Sequence, residues 1–153
     1  MPILSTNGLD ALMLSMKDLA DLPDDVLDEM VNAGADVIVE AQRETARTMT
    51  AGPWSGSGGQ HLADSITKGK AKKKGDGKVI TVYPRGTRNR TYREAGRGKT
   101  YTESNSTIAF INEYGAHGTP ARQFIRTANE KKASDAVAAE EAVFEKFLES
   151  KGF

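Results

Sequence analysis

Between Arg85 and Tyr101 the chain interleaves Arg85, Arg88, Arg90, Arg93, Arg97 and Lys99 with Tyr92 and Tyr101. Guanidinium groups pair with phosphates and tyrosine rings stack on unpaired bases, so this is chemistry that nucleic acid can use. The same residues fit a second role, an arm that docks on an acidic surface of a neighbouring subunit. Gly98-Lys99-Thr100 has the ending of a phosphate-binding loop, but Arg93 stands where the first glycine of that motif belongs. No buried strand precedes it and no helical pattern follows it, so a phosphate cradle is not expected. His61 and His117 each lie in a glycine-containing stretch without further ligands at metal-binding spacing. The acids Asp24, Asp25, Asp28 and Glu29 crowd a helix start, where the helix dipole alone favours them. There is no cysteine, which removes disulfides, thiolate metal sites and cysteine nucleophiles. No convergent catalytic set is found, and the expectation is a protein that is not an enzyme and uses neither metal nor cofactor.

The formal net charge of zero conceals a segregation. Residues 1–50 hold ten acids and three bases, a net of −7, and residues 68–99 hold twelve bases and two acids, a net of +10. A neutral chain with one acidic and one basic region can meet copies of itself head to tail. A dedicated nucleic-acid binder more commonly carries a net positive charge, which leaves nucleic-acid binding through residues 68–99 as the alternative. The 153 residues suffice for one domain with a single modest core, and the 38% hydrophobic content predicts some chain outside it. The N-terminus lacks the basic start of a signal peptide, and no apolar run approaches the length of a membrane span.

These residues need elements to position them. Gly8 to Ala20 predicts a short helix, and Asp21-Leu22-Pro23-Asp24-Asp25 a fresh start. Leu27, Met30, Val31, Gly34, Val37, Ile38, Ala41 and Thr45 then recur at helical spacing to about Met49. The small Gly34 on that apolar face predicts close approach of another element. Residues 51–61 form a Gly/Ser-rich joint whose Trp54 is expected to pack back on the core. Gly75-Asp76-Gly77 marks a hairpin between a lysine-rich arm, projecting outward, and the β-rich run Lys78–Tyr83. Residues 85–105 lack apolar periodicity and read as a long mobile loop. Thr107–Tyr114, apolar on both faces, reads as a central strand. Phe124–Glu149 predicts a last helix with Ala128, Ala133, Ala136, Val137, Phe144, Phe147 and Leu148 as its stripe, interrupted by Glu140. The expected fold is therefore α+β: a long N-terminal helix, a small antiparallel sheet of three to four strands over residues 62–114, and a C-terminal helix (120–150) packed on the sheet, all in one domain.

Several segments together resemble the tail-completion (head–tail joining, or neck) proteins of long-tailed bacteriophages. Phe110-Ile111-Asn112-Glu113-Tyr114-Gly115 is similar to that family's strand ending in an acid, an aromatic and glycine. Pro120-Ala121, Phe124-Ile125-Arg126 and Ala128 resemble its Pro-Ala, Phe-Leu-Arg and Ala positions, and Leu62-Ala63-Asp64-Ser65-Ile66 its step after a glycine-rich joint. Gln123 and Thr127 depart from it where related sequences often carry proline. The resemblance spans roughly residues 27–137. It implies a structural part of the virion, assembled in the host cytoplasm as a ring, with the tail-tube protein, head-connector proteins and other copies of itself as partners, and DNA passing through the channel. Glu113, Tyr114, Gly115, Pro120, Phe124 and Arg126 are then the expected turn and helix anchor, and the arginine-rich run the contact arm.

Overall fold

The computed structural model describes residues 22–50, 61–93, 96, 100–116 and 118–152. The expected helix at 8–20, the joint with Trp54, and Arg97, Lys99 and His117 lie outside the described residues. The architecture is α+β. Helix α1, Asp24–Met49, starts behind Pro23, whose carbonyl takes the first intrahelical bond from the Leu27 N–H at 3.1 Å. No side chain caps it, and Asp24 and Asp25 occupy its first turn. It buries Gly34, Ala35, Val39, Ala41, Gln42 and Ala46, one face at helical spacing. A single turn, α2 (Leu62–Ser65), follows, closed by a capping box. The Ala63 N–H donates to His61 Nδ1, and the His61 N–H donates to Asp64 Oδ2, both at 3.1 Å.

Strands β1 (Ile66–Lys68) and β4 (Val82–Pro84) pair antiparallel, as do β2 (Lys72–Lys74) with β3 (Gly77–Val79) and β5 (Thr87–Arg93) with β6 (Thr100–Ser104). The single sheet of three to four strands is thus three separate two-stranded pairs. The β2–β3 hairpin turns at Gly75, whose φ of 61° suits glycine, and the lysines of β2 are exposed as expected. The Lys78–Tyr83 run is broken between β3 and β4, and Pro84 extends the pairing opposite Ile66. Pro84 is tolerated because of the register. Arg85 N–H donates to the Ser65 carbonyl and Gly69 N–H to the Thr81 carbonyl, so Ile66 and Pro84 face each other at a non-hydrogen-bonded position. The Ile66 carbonyl points outward there and accepts the Arg43 Nε and Nη2 donors at 3.1 and 2.9 Å.

Two expectations are corrected. Residues 87–93 and 100–104 are not a loop but the arms of the β5–β6 hairpin, in register Tyr92 with Tyr101 and Thr91 with Thr102. Threonine and tyrosine favour a pleated strand without any apolar face. Thr107–Tyr114 is not a strand: Asn105–Tyr114 forms helix α3. Its buried positions are Asn105, Ile108, Ala109, Asn112 and Glu113, a helical stripe. Three of those five are polar, so an apolar count hides the period, and the β-branched Thr107, Ile108 and Ile111 imitate a strand.

The last helix, α4 (Phe124–Ser150), lies mainly along α1, and only its start joins the core under the strands. Gln42 Nε2 donates to Asn129 Oδ1 at 2.9 Å across the two helices. Gly34 marks the expected close approach: a Cβ there would fall 2.3 Å from Glu140 Oε1. Ala128 and Ala136 are buried, whereas Ala133 and Val137 of the expected stripe are exposed. The central cluster comprises Ala46, Leu62, Ala63, Ile66, Ile108, Ala109 and Phe124, edged by Met49, Val82 and Ile125.

Candidate functional site

The turn from α3 into α4 is built from the family-like residues. Helix α3 ends at Gly115, whose φ of 78° and tight surroundings require glycine: a Cβ would stand 2.9 Å from both the Ala121 nitrogen and the Thr119 oxygen. Ala116 and Thr119 bridge the turn, with N–H to carbonyl distances of 3.1 and 2.9 Å. The Glu113 side chain, buried to 6% exposure, then reaches forward to the next helix. Its Oε2 accepts the Ile125 N–H at 2.8 Å and its Oε1 the Arg126 N–H at 3.1 Å. A carboxylate on two otherwise unpaired amides at the positive helix end is a strong N-terminal cap. Gln123 before it is left-handed at φ 49° and gives no side-chain cap of its own. Phe124 is fully buried in the core.

Asn112 and Arg122 complete the turn, and sequence reasoning missed both. Asn112, fully buried, donates from Nδ2 to the Ile108 carbonyl at 2.9 Å and accepts from Arg122 Nη1 at 2.8 Å, while the Arg122 N–H donates to the Asn112 carbonyl at 2.7 Å. The remaining expected anchors separate from this set. Pro120 is exposed, and Arg126 turns its guanidinium outward to Glu130 at 2.8 Å. Tyr114 is 69% exposed and rests against Phe110, itself 59% exposed, with ring centroids 4.9 Å apart. These rings, four residues apart on α3, form an aromatic knob on its outer face. A helix over 105–114 would have made that spacing visible.

The basic residues divide as well. Lys78 Nζ lies 2.8 Å from Asp28 Oδ1 and 3.6 Å from Asp24 Oδ2, and donates to the Asp24 carbonyl at 2.8 Å. The hydrogen bond to Asp28 holds its pKa above the ordinary lysine value. Lys68 pairs with Asp36 at 2.7 Å, and Arg47 pairs with Asp64, whose carboxyl it holds below the usual range. Part of the acidic α1 surface therefore meets basic residues of its own chain. Lys70, Lys72, Lys73 and Lys74 are exposed and make no ion pair among the described residues. Arg88, Arg90 and Arg93 lie on β5, and Thr100 opens a strand where a phosphate loop would open a helix.

Between α1, α4 and β3–β4 runs an open groove of about 470 Å³, lined by Val31, Ile38, Val79, Val82 and Ile125 among others. Glu140 stands in it, and burial raises its carboxyl above the ordinary value. No cluster of three or more His, Asp or Glu suited to a metal occurs among the described residues. No helix among them is long and apolar enough to cross a membrane.

The chain thus combines a helical pair and short antiparallel hairpins with an outward aromatic knob and an exposed lysine arm. The family model described as "Bacteriophage HK97-gp10, putative tail-component" matches residues 10–96, more than half of the chain, and the chain belongs to that family. It is thus a phage tail component, and its place is with the virion structural proteins. The matched span covers α1 and the lysine hairpin and stops before α3, so the Glu113 turn lies beyond it. No curated protein and no solved structure matches the chain.

Proposed function

We propose that the chain is a structural, non-catalytic subunit of the head–tail junction, which completes or terminates the tail and joins it to the head connector as a homo-oligomeric ring. The observation that carries this reading is a pair of unlike apolar surfaces on one chain. The Phe110–Tyr114 knob projects from α3, and the groove runs between α1, α4 and β3–β4. In a rotationally closed ring each copy offers one patch and receives another, so the contact needs two different surfaces. Tail-tube and head-connector proteins are the neighbours of such a ring, assembly takes place in the host cytoplasm, and DNA crosses its channel.

Light scattering on purified protein tests the ring. The expected particle is about six times the 16.5 kDa chain, and Phe110→Ser with Tyr114→Ser reduces it to single chains without loss of helix. A native protein that stays monomeric, alone and with tail tubes, overturns the ring. Normally joined heads and tails from a phage lacking the gene would sink the junction role itself.

A further inference from the structure

We propose that the face of the lysine hairpin turned away from α1 is a binding site for the phosphate backbone of duplex DNA. It deepens the junction reading, on which it rests only for where DNA is met. Lys68 and Lys78 are held by acids of α1. Lys73 stands opposite Lys78 in the β2–β3 register, a like-charge pairing that would oppose the hairpin were Lys78 not neutralised by Asp28 and Asp24. Asp28 and Asp24 thus hold β3, and β3 in turn holds β2, whose lysines have no partner among the described residues.

Beside that strand lies a concave cleft of about 440 Å³, formed by Gly69, Lys70, Lys72, Thr81, Tyr83 and Arg85, with no acid among them. The nearest acid in sequence is Asp76, at the exposed tip of the hairpin. Arg85 is mounted firmly. Its N–H donates to the Ser65 carbonyl at 2.8 Å, and its own carbonyl accepts from Asn105 Nδ2 at 2.9 Å. Its guanidinium lies 5.2 Å from the centre of the Tyr83 ring, and Nε donates to the Tyr83 hydroxyl at 3.1 Å. Nη1 is left for a ligand. A pre-positioned guanidinium flanked by two unpaired ammonium groups is the recognition chemistry of phosphate oxygens.

The choice of duplex over single strand follows from Tyr83. Unpaired bases need an open aromatic face to stack on. The cleft holds a single ring, Tyr83, whose hydroxyl edge is taken by Arg85 Nε, and so lacks the run of aromatic faces on which successive bases stack. Cations without a stacking platform read the backbone, and such contact is independent of base sequence.

The test is fluorescence anisotropy with a short duplex, its single strand and poly-glutamate as competitor, over a range of salt. The variant Lys70→Gln/Lys72→Gln/Arg85→Gln is expected to bind duplex at least tenfold more weakly at low salt. Its slope of log K against log salt should be shallower by about two to three, near one for each lost phosphate contact. Lys70→Gln/Lys72→Gln alters no hydrogen bond described above and serves as a second variant if the triple one melts early. Unchanged affinity and slope in both variants overturn the site. If Arg88→Gln/Arg90→Gln/Arg93→Gln alone abolishes binding, DNA contact belongs to β5 and the cleft proposal fails. Tighter binding of single strand, or equal competition by poly-glutamate at matched charge, also overturns it, the latter in favour of an acidic protein surface. Light scattering on the same samples separates the two readings: a monomer that binds duplex through the cleft sinks the ring alone, and a ring indifferent to DNA sinks this site alone.

Discussion

The two long helices begin in opposite ways. Helix α1 meets its first amides by local means: Pro23 supplies a fixed backbone and Asp24 and Asp25 favour the positive end, all of them exposed. Helix α4 has no local means at all. Its preceding residue is left-handed Gln123, its first turn holds no acid, and its cap is Glu113 from the helix before. The first start has no tertiary cap on its amides, its one distant tie being Lys78 on the Asp24 and Asp28 acids, and the second exists only as part of the α3–α4 turn. A helix end that depends on tertiary structure becomes a fixed point of the molecule, and the aromatic knob is carried on the helix that supplies the cap.

The sharpest test of this contrast is Phe124→Ala at the first position of α4. Truncating a fully buried Phe in the central cluster should cost about 3–5 kcal/mol in chemical denaturation. Glu113→Ala follows, at about 2–3 kcal/mol, because two helix amides lose a buried charged acceptor, and Glu113→Gln should recover part of that loss. If Glu113→Ala costs no more than a surface substitution, the distant cap is not what holds α4.

Glu140 probes the middle of the helix pair. Burial raises its pKa in the folded state, so the native protein binds its proton more tightly than the unfolded chain. Stability from this group is therefore greatest below its ordinary pKa of 4.5 and declines as pH rises from there through the raised value. Glu140→Gln should flatten that part of the stability–pH curve and raise the melting temperature at neutral pH. The smallest effect is expected for Asp25→Ala at the start of α1, at most about 0.5 kcal/mol and weaker still in high salt. A loss comparable to Glu113→Ala would erase the contrast between the two starts.

The same contrast explains what was legible in the sequence. The bounds of α1 and α4, the Gly75 hairpin and the close approach at Gly34 depend on signals lying within a few residues: a proline, a run of acids, a glycine turn, a period. Helix α3 was misread because Asn105, Asn112 and Glu113 hold its buried face through partners on other segments, namely Arg85, Arg122 and the start of α4. The β5–β6 hairpin was misread because its strands carry threonine, tyrosine and arginine without the alternation that burial would impose. Of the expected anchors, Glu113, Gly115 and Phe124 act inside the turn, and Tyr114, Pro120 and Arg126 are exposed around it. A residue's identity announces that it is distinctive, and only the fold decides whether it faces inward.

The Ile66–Pro84 level of the β1–β4 pair has a bearing on how copies can associate. An exposed strand edge invites another chain to add a strand through its free amides and carbonyls. Here the outward carbonyl of Ile66 is taken by the Arg43 fork, and Pro84 on the opposite edge has no amide to offer. Both edges are therefore blunted at the same height, by a guanidinium on one side and an imino acid on the other. Backbone templating at that point is closed to newcomers, so another chain can meet this level of the pair only through side chains.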